Sequence, residues 1–186
     1  REMCSITTIF NSLMNSTKTG YYLQLLYYFC SQFFLFDKQN SLNMSSKLVP
    51  PHSGVLKPLL LEGSALETAI NNAKNLPQVR LNSRETSDLI MLAVGAFSPL
   101  DGFMGEKDYL SVVNDMKMAD GTLWPIPITL SVSKEQANEL SVGTEIALVD
   151  DESDELMGSM VIEDKFDYDK KHEAVNVFRT DDEQHP

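Results

Sequence analysis

The chain has 186 residues, enough to bury a core without disulfides or metals, and its apolar and charged contents are ordinary for a globular protein. Its charge is not ordinary: 27 acidic residues against 15 basic ones give −12, which argues against nucleic acid as the main partner, since phosphate neutralisation by Lys and Arg supplies most of that affinity. The two cysteines, Cys4 and Cys30, match no zinc or redox spacing, and their absence after Met44 suits a reducing compartment, the cytoplasm.

Residues 1–43 differ in composition from the rest. They hold four of the six tyrosines, five of the nine phenylalanines and both cysteines. Their few charges nearly balance, so residues 44–186 carry all of the excess acid. Three readings are open. The abundance of Phe, Tyr, Asn, Lys and Ile fits translated AT-rich DNA upstream of a gene, with Met44-Ser45-Ser46-Lys47 as a start. Tyr21–Phe36 is an apolar run that could lie at a membrane, although 16 residues interrupted by Gln24, Ser31 and Gln32 fall short of the roughly 20 a spanning helix needs. A signal peptide is the third, with Lys18 as its basic flank but no small-residue cleavage site after it. The first is favoured, and the expectation is that residues 1–43 stand outside the fold of residues 44–186.

From Leu48 to Leu61, Pro50, Pro51 and Pro58 forbid a continuous helix. A short helix is predicted over Leu66–Lys74 and a strand over Val79–Leu81. Asn82 or Ser83 caps the next helix, with Glu85 in the capping-box position and Leu89, Leu92, Ala93 and Ala96 on one face. Gly95 is its left-handed stop, and Ser98-Pro99 and Asp101-Gly102 make turns. A second helix runs from about Glu106 to Met116, burying Tyr109, Val112, Val113 and Met116.

Trp124–Val132 alternates with a period of two, with Trp124, Ile126, Ile128, Leu130 and Val132 on one side. Pro125 and Pro127 lack donors on the same side, which places this end at a sheet edge. Ser133 with Gln136 starts a short helix to Leu140. Thr144–Val149 and Leu156–Ile162 read as a hairpin whose tip is the acidic run Asp150–Glu155. That run lacks the spacing and distal Glu of a calcium loop, so a solvated tip is the better account. Asp169 caps a last helix with Ala174, Val177 and Phe178 on one face. No internal repeat is present. The class is α+β with a small, mostly antiparallel, barrel-like sheet.

No catalytic constellation can be assembled from these residues. His52, His172 and His185 sit in no H-x-x-H or H-E-x-x-H pattern, and each reads as a solvated or locally hydrogen-bonded histidine. Gly95, Gly102 and Gly105 fit neither phosphate-loop spacing and read as a structural turn.

Several segments together are similar to one family. Gly95-Ala-Phe-Ser-Pro-Leu-Asp-Gly-Phe-Met104 resembles the G-x-F-S-P-L-x-G-F-M motif of ATP sulfurylases (sulfate adenylyltransferases). Asp120-Gly-Thr-Leu-Trp-Pro-Ile-Pro-Ile-Thr-Leu130 resembles their D-G-x-x-W-P-I-P-I-x-L strand. Leu48-Val-Pro-Pro-His-Ser-Gly54 looks like the family's L-x-x-P-H-G-G opening, with Ser53 in place of a glycine. Thr180-Asp-Asp-Glu-Gln-His-Pro186 resembles the segment that closes the N-terminal domain. The resemblance covers residues 44–186 and implies a PUA-like fold, a small antiparallel or mixed pseudo-barrel with short flanking helices. It implies the reaction of ATP with sulfate to give adenylyl sulfate and pyrophosphate, assisted by Mg²⁺, in a homo-oligomer. It also implies that the Q-x-R-N and H-x-x-H motifs lie in the following catalytic domain. Gln78-Val-Arg-Leu81 is not Q-x-R-N, so no catalytic, cofactor-binding or metal-binding residue is carried over. The expected partner is that catalytic domain, and the expected role is to brace it. The runner-up is a stand-alone RNA-binding PUA-like module, which the acidic charge disfavours.

Overall fold

Asn82 and Glu85 stand three residues apart, and that spacing starts the best-defined helix. In the computed structural model the Asn82 side chain accepts from the Glu85 N–H at 3.0 Å, and the Glu85 carboxylate accepts from the Asn82 N–H at 3.1 Å. Two of the helix's orphan donors are thereby satisfied. The structure describes residues 49–182 together with two short strands, Glu2–Cys4 and Thr8–Phe10.

The strands are β1 (Glu2–Cys4), β2 (Thr8–Phe10), β3 (Leu60–Leu61), β4 (Gln78–Leu81), β5 (Leu130–Val132), β6 (Glu145–Asp150), β7 (Leu156–Val161) and β8 (Phe166–Asp167). The helices are α1 (Gly63–Ala73), α2 (Ser83–Ala93), α3 (Glu106–Asp115), α4 (Lys134–Glu139) and α5 (Lys170–Glu173), the last running into a wider π turn, Ala174–Phe178. One sheet has the order β3-β2-β7-β6-β4 and the other β5-β1-β8. The β6–β7 hairpin is antiparallel, as its acidic tip predicts, while β4 runs parallel to β6 and β3 parallel to β2. The class is α+β with mixed, open sheets rather than a closed barrel.

β1 pairs with both β5 and β8, and β2 with both β3 and β7. The expectation that residues 1–43 stand outside the fold is therefore not met at these six positions. Tyr21–Phe36 lies outside the described residues.

The main core gathers Val79 and Leu81 of β4, Leu89 and Leu92 of α2, Phe103, Val112 of α3, Leu130, and Ile146, Leu148, Met157 and Met160 of the hairpin. α1 lays Leu66, Ala69, Ile70 and Ala73 beside Ala147 and Leu156. Tyr109 and Val113 of α3 pack with Phe166, Tyr168 and Val177.

Four expectations fail for local reasons. Ala96 is exposed, because α2 ends at Ala93 and Gly95, at φ +77°, turns the chain away. Met116 is the left-handed cap of α3, at φ 55°, so its side chain leaves the buried stripe and is 41% exposed. Only Leu130–Val132 of the predicted Trp124–Val132 strand joins a ladder: the donor-less Pro125 and Pro127 occupy the stretch before it, and Ile126 turns outward at 48% exposure. Phe178 lies on a π turn, not an α-helix, and is exposed while Val177 packs inward. β5 is the outer strand of its sheet, while the Pro125–Pro127 end expected at the edge joins no ladder.

Two outcomes follow from the packing. Phe103 is 2% exposed within the main core, so Phe103→Ala should cost about 3–5 kcal/mol, read by denaturant unfolding. Wild-type stability in that variant would show that the ring is dispensable to the core. Glu85 is 1% exposed and its Oε1 also accepts from the N–H and hydroxyl of Ser131, at 3.1 and 2.8 Å. Glu85→Gln sets an amide NH₂ against one of these donors and should cost about 1–3 kcal/mol by the same measurement.

Candidate functional site

The turn after α2 is tied to distant parts of the described chain. Gly95 takes the left-handed conformation because an L side chain there meets two obstacles: the positive φ, and backbone atoms of Lys57 and Pro58 only 3.2 and 3.1 Å from where a Cβ would sit. The chain then closes through Ser98. Its hydroxyl donates to the Gly95 carbonyl at 2.6 Å and accepts from the Lys57 N–H at 2.8 Å. Met104 N–H donates to the Ile128 carbonyl at 2.8 Å, joining the end of the turn to the segment before β5. Phe103 and Met104 are buried and Phe97 meets Trp124 edge-on at 6.0 Å. The glycine-containing segment is thus a structural turn, as its spacing implies.

Beside it lies a cavity of about 270 Å³, lined among others by Lys57, Asp101, Asp108, Asp120 and Glu163. Its carboxylates build the surrounding loops. Asp108 accepts from the Ala119 N–H at 2.7 Å, and Asp120 from the Thr122 N–H at 2.8 Å, which holds the Asp120 carboxyl below its ordinary range. Lys57, the cation in this lining, pairs with Asp101 at 3.5 Å. A triphosphate needs converging cationic or N–H donors. Four carboxylates surround a single paired lysine in this lining, an arrangement that disfavours a polyanion.

The histidines are not brought together by any hydrogen bond among the described residues. His52 bonds the Leu123 carbonyl through Nε2 at 2.8 Å and lies 6.0 Å from the Trp124 ring, pinning the opening segment. His172 Nε2 is 2.9 Å from Asn114 Oδ1, which ties α5 to α3. His185 lies outside the described residues. The acidic run is a braced hairpin tip. Asp150 accepts from the Thr86 hydroxyl at 2.7 Å and from the N–H and hydroxyl of Ser153 at 2.9 and 2.7 Å. Burial pushes the Asp150 carboxyl up, but these bonds outweigh it and hold the group below its usual range. Asp151 and Asp154 hold Arg80 at 3.4 and 2.6 Å, which ties the cation of Gln78-Val-Arg-Leu81 to the tip.

Among the described residues no cluster of three or more His, Cys, Asp or Glu is arranged to hold a metal ion, and no helix is long and apolar enough to cross a membrane. Sequence reasoning missed two polar anchors. One is the Glu85–Ser131 contact, for which the capping box gave only the helix end. The other is the buried Tyr109 hydroxyl, which donates to Glu173 at 2.8 Å; burial pushes this phenol far up, and Glu173 adds to the shift.

Comparison with known proteins matches this frame. Sulfate adenylyltransferases from Chlorobium chlorochromatii and Chlorobaculum tepidum are 61% and 60% identical to the chain over 141 residues, and one from Psychrobacter sp. is 53% identical over 146. Each match covers 75–76% of this chain and 35% of the relative, so the chain spans about a third of the length of these proteins. A solved structure, a hexameric APS kinase from Thiobacillus denitrificans, superposes with a TM-score of 0.51 at 27% identity, covering 62% of this chain and 26% of the other. The profile of the PUA-like domain matches residues 49–186, most of the chain and all of its main core, and on that match the chain belongs to the PUA-like domain family.

Proposed function

We propose that residues 44–186 are the N-terminal PUA-like domain of a sulfate adenylyltransferase and act as a non-catalytic support for that enzyme's catalytic domain. The observation that carries this reading is the 61% identity confined to 35% of the relative's length. The site geometry supports it: Lys57, Arg80, His52 and His172 are engaged in loop and helix contacts, and the cavity by the Gly95–Met104 turn is lined mainly by acidic side chains among its charged groups. ATP, sulfate and Mg²⁺ then belong to the remainder of the enzyme, which forms adenylyl sulfate and pyrophosphate, a nucleotidyl transfer in sulfur metabolism. The partner of this domain is that remainder, not nucleic acid. Assembly into a homo-oligomer is part of the proposal, and the hexameric form of the structural neighbour supports it. The compartment proposed is the cytoplasm.

Two experiments test the reading. Mg-ATP titrated into the purified 186-residue chain by calorimetry should give no saturable heat, whereas a protein extended through the catalytic domain should make adenylyl sulfate. Saturable binding by the chain at ordinary enzyme affinities, about 1 μM–1 mM, would place a nucleotide site in this domain and overturn the assignment. The boundary at Met44 is supported by a family match that begins at residue 49. Starting the protein at Met44 removes β1 and β2 and should leave cooperative thermal unfolding intact. Loss of the cooperative transition would make the two strands part of the folding unit.

A further inference from the structure

A strand in the middle of a sheet is bonded on both flanks, so its removal opens two edges at once. β1 and β2 both hold such places, although together they span only residues 2–10. β1 runs antiparallel to β5 on one side, with Met3 opposite Ser131, and to β8 on the other, with Met3 opposite Phe166. β2 runs antiparallel to β7, with Ile9 opposite Gly158, and parallel to β3, with Ile9 opposite Leu60. Among the described residues β5 and β8 have no ladder partner except β1, and β3 has none except β2.

The flanking strands are anchored by side chains of residues 49–182. Leu130 and Val132 of β5 and Met157 and Met160 of β7 belong to the main core. Phe166 of β8 packs with Tyr109 and Val113, and Leu61 of β3 packs beside Ala73 and Ala147. β7 also keeps β6 on its far side. Adjacent strands lie roughly 4.7–4.9 Å apart, so β5 and β8 stand two spacings, about 9.5 Å, from each other, as do β7 and β3. Neither pair can close a ladder across that gap. Residues 49–182 therefore present a slot one strand wide in each sheet, lined by backbone groups that need partners. The PUA-like match begins at residue 49, beyond both β1 and β2, so the slots lie in the matched segment and the strands that fill them do not.

We propose that the two slots form one strand-accepting site for an extended peptide, a site that residues 2–10 occupy in this chain. The occupant is a β-prone stretch with few charges, laid antiparallel to β5, β8 and β7. Residues 3–10 carry no charge, and Ile6, Thr7, Thr8, Ile9 and Phe10 are β-branched or aromatic, the types that suit strands. Main-chain bonds supply the affinity in this mode of recognition, and they require an extended backbone with its N–H groups intact. Flanks already held by the core lower the ordering cost of binding. The inference stands on strand pairing alone and does not depend on the sulfate adenylyltransferase reading.

The test uses the 186-residue chain carrying Met3→Pro and Ile9→Pro. Each proline removes a donor from a strand bonded on both sides, and so weakens the insert without altering residues 49–182. Amides of β5, β7 and β8 should exchange with deuterium about tenfold or more faster than in the parent, while thermal unfolding stays cooperative. A fluorescent peptide of residues 1–12 should bind the variant saturably and return those amides to the parent's rates. It should bind the parent at least about tenfold more weakly, because the parent's own segment competes from within the chain. The same peptide with both prolines should not bind. Unchanged exchange in the variant overturns the proposal, as does loss of its cooperative unfolding, which would make the insert part of the folding unit. Absence of peptide binding up to about 1 mM overturns it too. So does equal binding by variant and parent, or binding of the proline peptide, since either would place the peptide outside the slots.

Discussion

A carboxylate at 1% exposure must be surrounded by donors or it destabilises the fold, and Glu85 meets that requirement with groups from two separate elements. One oxygen closes the capping box on Asn82 at the start of α2, and the other accepts two bonds from Ser131 in β5. The contact spans 46 residues of sequence, so a local helix signal and a long-range tertiary bond share one side chain. Leu89 and Leu92 then reach the core from the same helix whose start is pinned to β5, and Leu130 reaches it from beside Ser131. Moving α2 along its axis by one residue would break both sets of bonds at once. Its rotation and depth are thereby set, and with them the position of the Gly95–Met104 turn that follows.

That turn transmits the constraint to the opening segment. The Leu59 N–H donates to the Ala93 carbonyl at 2.9 Å and the Lys57 N–H to Ser98. Gly95 allows the two backbones to approach closely, and His52 fastens the far end to Leu123. A segment with three prolines builds no regular ladder of its own, and here the Leu59 and Lys57 amides find acceptors in α2 and the turn.

Much of this frame was legible because its signals are local. Asn82 with Glu85, Ser133 with Gln136 and Asp169 each mark a helix start, and in each the side chain accepts from the expected backbone N–H. The β6–β7 hairpin announced itself by two apolar runs about an acidic tip. The failures have a common physical form: a backbone conformation overrides a side-chain period. Ile126 and Met116 sit on the expected spacing but on backbone that no longer follows strand or helix geometry, and Phe178 falls on a turn with a wider repeat. The parallel pairing of β4 with β6 was not legible, because no local pattern encodes which of two distant strands will be neighbours. Of the polar contacts around the candidate site, the Glu85–Ser131 and Tyr109–Glu173 bonds were not legible, because they join residues with no shared motif.

The placement of acid explains how a chain of net charge −12 keeps its cores intact. Asp150 closes the hairpin tip, Asp151 and Asp154 neutralise Arg80, Asp108 and Asp120 hold the loop between α3 and Trp124, and Asp169 caps α5. Each of these carboxylates supplies an acceptor to a backbone N–H or a cation, so part of the acidic charge shapes loops. A surface built in this way repels polyanions.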